Sequence, residues 1–381
     1  MRKISPLVKS ILFVNVALLL ASSLAFGQHY NQTNLVANFT STPPAGVIDP
    51  NLQNAWGLVS GPSGTPWWVA NNAGGTSTLY AIDATGAAHI VPINGTGTVI
   101  VANAPSQPAP GSPTGAMFNG SPADFLLAPG KQAIFIFVTE DGTVQGWNPG
   151  VSPNTVIKVD NSQVPDAANG AVYKGSTIAE INGQKFILAA NFRSGRIDAF
   201  NTNFKQVQLG EDAFEDEEIP PGFAPFNVVG LGPNLYVTYA KQNAARHDPV
   251  GGPGFGFVDV FNPHGHLLQR LQHTDSMNAP WGVAWAVQNF GEFSNTILVG
   301  QFRGGNVSAF NPVTGRFLGN MLNPDGTTLT IDGLWALHFG QGGNAGLGST
   351  LFFTAGPNGE TDGLLGTLLP VAAEKNEADE L

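Results

Sequence analysis

The residues best suited to chemistry are few, and most lie where the chain must turn. Glu140-Asp141 is an acidic pair followed by Gly142. Such a pair can ligate calcium or another divalent cation, or act as a general base, and Asp141-Gly142 is equally a two-residue hairpin turn. Arg193 and Arg303 occupy matching places in the near duplicates Asn191-Phe192-Arg193-Ser194-Gly195 and Gln301-Phe302-Arg303-Gly304-Gly305. Two guanidinium groups so placed can hold a carboxylate or sulfate; the competing reading packs each stem on the adjacent Phe and bonds a local carbonyl. The acidic run Glu211 to Glu218 lacks the spacing of a calcium loop and reads as a solvated connection. His264-x-His266 aligns with an ordinary hairpin elsewhere in the chain and is not read as a metal site. Gly252-x-Gly254-x-Gly256 leads into a strand, not a helix, so nothing points to a nucleotide cofactor. Neither Gly-x-Ser-x-Gly nor His-Glu-x-x-His occurs, and with no cysteine a thiol nucleophile is excluded.

The elements that position these residues repeat. Gln145-Gly146-Trp147-Asn148-Pro149, Asp198-Ala199-Phe200-Asn201, Asp259-Val260-Phe261-Asn262-Pro263 and Ser308-Ala309-Phe310-Asn311-Pro312 each end a short alternating strand with an aromatic and a turn-forming Asn. A more apolar strand precedes each copy, and six such strands define six units. Each unit opens on a further strand, as in Ala55-Trp56-Gly57-Leu58, Pro225-Phe226-Asn227-Val228, Pro280-Trp281-Gly282-Val283 and Leu334-Trp335-Ala336-Leu337. With Trp56, Ala123, Lys174, Phe226, Trp281 and Trp335 taken as equivalent, the intervals are 67, 51, 52, 55 and 54 residues, and Asn94 to Asn119 is read as a Pro/Gly-rich loop lengthening the first. The repeated aromatics Trp56, Phe226, Trp281 and Trp335 are expected between units, as core.

A unit of about four short strands cannot bury both faces alone, so copies stack around an axis. The expected fold is therefore an all-β, six-bladed β-propeller. Gln32 to Phe39 is an alternating strand before the first unit, and it is expected to complete the sixth blade and close the ring. Loops leaving each second strand then converge on one rim of the central channel. That rim gathers the ligand-binding candidates Asn71, Asn72, Glu140, Asp141, Asn191, Arg193, Lys241, Gln301, Arg303 and Asn358, with Gln242 and Glu360 beside them; a metal would fall to Glu140 and Asp141.

Several stretches carry a wider resemblance: Asp49-Pro50-Asn51-Leu52, Asn54-Ala55-Trp56-Gly57-Leu58, Ala171-Val172-Tyr173-Lys174-Gly175, Tyr236-Val237-Thr238-Tyr239-Ala240-Lys241-Gln242 and Ile331-Asp332-Gly333-Leu334-Trp335. The chain resembles a family of uncharacterised secreted bacterial β-propeller proteins, related to NHL-repeat and gluconolactonase-like propellers. The resemblance implies the fold and carries no established activity.

Composition bounds the rest. Charged residues are only 11% while Gly (48) and Pro (28) are abundant, which suits short strands and tight turns. Residues 1–27 read as a signal peptide: Arg2, Lys3 and Lys9 precede the apolar run Ile11 to Leu20, with Ala25-Phe26-Gly27 before the cut. Its removal takes the net charge from -11 to -14, which excludes nucleic acid as a natural partner and leaves no membrane span. Residues 28–371 form the expected single domain, and 372–381 an acidic disordered tail. The chain is expected to be secreted or periplasmic. Its expected role is non-catalytic binding or scaffolding of a small molecule, glycan or envelope protein; the alternative is a metal-assisted hydrolase or lactonase at the channel mouth.

Overall fold

The computed structural model describes residues 29–62, 64–93, 95–210 and 212–371, so the segments expected to be a signal peptide (1–27) and an acidic tail (372–381) lie outside the described residues. Six antiparallel sheets surround one axis. Their innermost strands are Ala55–Val59, Pro113–Phe118, Tyr173–Ile181, Phe223–Leu231, Pro280–Trp285 and Leu334–Phe339. Each touches the next in cyclic order, and the sixth returns to the first, which establishes the closed six-bladed β-propeller.

Closure is by the N-terminal strand Tyr30–Ala37, which pairs antiparallel with Leu364–Pro370 as the outer strand of the sixth blade. Tyr30 then reaches the fifth blade, where its hydroxyl donates to the Phe290 carbonyl at 3.0 Å and its ring lies between Phe290 and Phe293. The ring is thus fastened by a strand and by a side chain. Apolar clusters fill the gaps between neighbouring sheets, because period-2 alternation gives each strand a residue for either side. Trp67 and Trp68 show this: Trp67 packs on Phe352 of the sixth blade, and Trp68 stacks on Phe135 of the second at 4.2 Å.

Two expectations require correction. Ala123 is not the equivalent of Trp56; the second blade's inner strand is Pro113–Phe118, inside the stretch read as a loop, and Thr114 takes that place. Proline at the start of the strand disguised it, although Pro280 begins a fifth-blade strand in the same way. The repeated aromatics also do not lie between blades. Every inner strand carries a register shift near its start, such as Ala55/Leu58, Pro280/Val283 and Leu334/Leu337. A bulge re-aims the side chain it contains, here from the sheet face to the axis.

The result is a plug across the channel. Trp335 stacks on Trp56 and on Phe302, each at 3.7 Å between ring centres, and meets Trp281 edge-on at 5.9 Å. Phe226 closes the group at 5.9 Å from Trp335. These rings come from blades one, four, five and six. Close approach of the strands below the plug demands glycine: a Cβ on Gly57 would lie 2.3 Å from the Thr114 carbonyl oxygen, and one on Gly282 2.5 Å from that of Trp335.

Candidate functional site

At the plug, the third blade supplies Lys174 at the position where blades one, four, five and six supply Trp56, Phe226, Trp281 and Trp335. This lysine is buried. Its ammonium is ion-paired to Glu140 of the second blade, lies 3.4 Å from Asp248, and sits 5.4 Å from the Trp56 ring centre and 5.9 Å from that of Phe192. Trp281 bonds the Lys174 carbonyl at 2.9 Å from across the axis, fixing the backbone that carries the charge.

From Lys174 a hydrogen-bonded chain crosses the face. Glu140 accepts from Asn72 Nδ2 at 2.8 Å, Asn54 Nδ2 donates to Asn72 Oδ1 and to Glu360 at 3.2 Å each, and Arg303 pairs with Glu360 at 3.6 Å. Trp335 donates its indole N–H to Asn54 at 3.0 Å, tying the chain to the plug beneath. Blades three, two, one, six and five each contribute. Backbone strain collects here too: Asn54 has φ 46°, and Asn358, Gly359 and Glu360 form a left-handed run with φ 56°, 68° and 71°. A left-handed Glu is costly and persists only where its surroundings hold it, as Asn54 and Arg303 do here.

Electrostatics follow the geometry. Burial pushes the Glu360 carboxyl up, and Arg303 opposes the shift. His247, hydrogen-bonded to Asp248 at 2.8 Å, holds that carboxyl well below the usual range, with Lys174 adding to the effect. Glu140, His247 and Asp248 offer ligand atoms all within 4.8 Å of one another. They form the described group best suited to hold a metal, but the Lys174 ammonium already contacts both of its carboxylates.

The rim candidates divide accordingly. Asn72, Glu140, Arg303 and the neighbouring Glu360 come together in the chain just described. Asn71, Asn191 and Gln301 end their second strands one residue too early: Asn71 bonds Thr76 and Thr78, Asn191 bonds Asp198, and Gln301 accepts from the Asn278 N–H. All three are buried within the blades. Arg193 bonds the Gly170 carbonyl at 2.9 Å, so it forms no clamp with Arg303. Lys241 lies over the Phe255 ring at 4.0 Å, Gln242 donates to the Phe192 carbonyl, and Asn358 is held by Asp332 and Asp362 at the outer rim. Asp141 diverges from Glu140: it accepts from the Ser112 N–H, and burial pushes its carboxyl up to about 6. The expected Glu140–Asp141 metal pair is therefore split, with His247 and Asp248 nearer to Glu140.

Sequence reasoning passed over Lys174, Asn54, His247 and Asp248 as site residues. A lysine in a register that is aromatic in four of the other five units was the available signal for the first. Asp248 sits in an irregular loop whose path no pattern reveals.

The fold and this face define a six-bladed propeller with a charged axial site above an aromatic plug. No family model matches the chain. It is 31% identical over 265 residues to an uncharacterised protein (R648) of Acanthamoeba polyphaga mimivirus, covering 67% of this chain and 62% of that protein. A second uncharacterised protein of the same virus, L690, is 30% identical over 286 residues, covering 71% of each chain. The chain belongs to the family of this second protein. Both relatives are viral, so the expected bacterial origin gains no support from them.

Among solved structures, similarity extends to a Bacteroides thetaiotaomicron protein of unknown function (8% identity, TM-score 0.52, 89% of this chain and 76% of that one). It extends also to the Penicillium chrysogenum α-L-arabinanase complexed with arabinobiose (12% identity, TM-score 0.51, 88% and 98%). These likenesses show the fold alone. No helix among the described residues is long and apolar enough to cross a membrane.

Proposed function

We propose that the chain is an exported binding propeller that receives a small polar molecule at the axial face, without catalysis of its own. The observation that carries this reading is the hydrogen-bonded chain from Lys174 to Arg303, which collects donors, acceptors and charges from five blades at one place. Its acids and bases are committed to one another, so it offers fixed recognition groups instead of a free nucleophile. Export is supported by the basic and apolar pattern of residues 1–27. Saturation-transfer NMR against a panel of mono- and disaccharides and small dicarboxylates tests it. A binder lost in Glu140→Gln and in Arg303→Ala is expected; a panel with no binder, or binding that ignores both substitutions, rejects the reading.

A second reading, a metal-assisted hydrolase, is favoured by the grouping of Glu140, His247 and Asp248. It requires Lys174 to yield its place to a cation. Metal content after equilibration with calcium, manganese or zinc decides it, together with hydrolysis of a simple lactone. A metal that disappears in Asp248→Ala, with turnover, would displace the non-catalytic reading.

A further inference from the structure

The channel continues beyond the plug to the opposite face of the ring. Its volume there is about 430 Å³, within the range of small-molecule sites. One end is shut by the plug, and Trp285, 45% exposed, stands at the open mouth. The walls are the lower halves of the six inner strands, with Met117, Ile178, Val229 and Leu231 among their side chains. Among the described residues, no Asp, Glu, Lys or Arg lines this space. The one titratable lining group, His338, is turned toward Trp67, and burial shifts it toward its neutral form.

A second observation concerns the deep end. Ser176, two residues beyond Lys174, lines the cavity, and its buried hydroxyl has no hydrogen-bond partner. That hydroxyl is shut off from the open space and lies against the neighbouring inner strand, where a Cβ on Gly115 would come within 2.5 Å of it, so the surface met by a ligand is left to the apolar side chains around it.

We infer that this end of the channel is a second binding site, taking an uncharged, largely apolar molecule. A charged ligand is refused, because nothing in the walls would replace the water stripped from it. The site is independent of the polar face: the plug lies between them, and either can fail while the other stands.

Two dyes of matched aromatic size separate the chemistry. Neutral N-phenyl-1-naphthylamine is expected to bind saturably, one per chain, with enhanced fluorescence, and anionic 1-anilinonaphthalene-8-sulfonate at least about tenfold more weakly. Val229→Trp, which fills the cavity, and Leu231→Arg, which places a charge in its wall, are each expected to weaken the neutral dye at least about tenfold. Val313→Asp, at an outer turn where Val313 is 84% exposed, serves as the control for adsorption to surface hydrophobes and is expected to bind the dye unchanged. Leu231→Arg carries the test if Val229→Trp does not fold. The inference is overturned by dye titration that never saturates, by equal affinity for the sulfonate, or by undiminished binding in the folded channel variants.

Discussion

The two ends of the channel are built from the same six strands and differ in nearly every chemical respect. Above the plug, the candidate site is a set of ions and amides delivered by loops. Below it, the walls carry no formal charge among the described residues. The difference comes from packing. Lower strand segments approach so closely that Gly57, Gly115 and Gly282 could not carry a Cβ without collision, so small and apolar residues are enforced there. The loops above are crowded too, at Gly142, Gly333 and Gly356, but those contacts lie between turns and leave Glu140, Asn72 and Arg303 to reach toward the axis, where polar groups accumulate.

If the plug is the shared floor of both ends, damaging it should have the largest effect. Trp335→Ala removes a buried ring stacked on two others and an indole hydrogen bond, and is expected to cost about 4 kcal/mol in denaturant unfolding. A cost under about 1 kcal/mol would show that the rings merely fill space.

The charged side is broken most directly at Lys174. Lys174→Met leaves Glu140 without its buried cation and is expected to cost about 3 kcal/mol, while Lys174→Met combined with Glu140→Gln recovers much of it. Additive losses in this double-mutant cycle would mean that the pair is not coupled. The uncharged side is probed by Gly57→Ala, whose Cβ meets the Thr114 backbone, at an expected cost of about 2 kcal/mol. The same measurement on all three variants orders the effects.

How much of this was legible beforehand follows the same division. Repetition of Trp-Gly and aromatic-Asn steps yielded the ring, its six units and its closing strand, because each recurs in register with the fold. The axial direction of Trp56 and Trp335 was not legible, since a bulge rotates them away from the alternation that sequence displays. Glu140 and Asn72 were found because they follow strand ends. Asn71, Asn191 and Gln301, one position earlier, point into their blades, and that single-residue parity decides which side chains reach the axis.

The smallest effect expected is a pH dependence confined to the charged side. Asp141 is raised from 3.8 to about 6, first by burial. Between those values the folded state holds a proton that the unfolded chain has released, so this group's stabilising contribution is full below pH 4 and declines as pH rises through 6. The shift corresponds to at most about 3 kcal/mol, and partial exposure reduces it to about 1 to 2. Asp141→Asn cannot titrate and can still accept from the Ser112 N–H, so its stability curve should lack that decline and lie above the wild type's at pH 7 relative to pH 4. Asp248, whose carboxyl is depressed, loses its contribution only at acidic pH and leaves this window untouched. Thermal unfolding of both proteins from pH 4 to 8 reads the difference; parallel curves would mean that Asp141 ionises freely in the folded protein and that burial at the rim is shallower than its contacts imply.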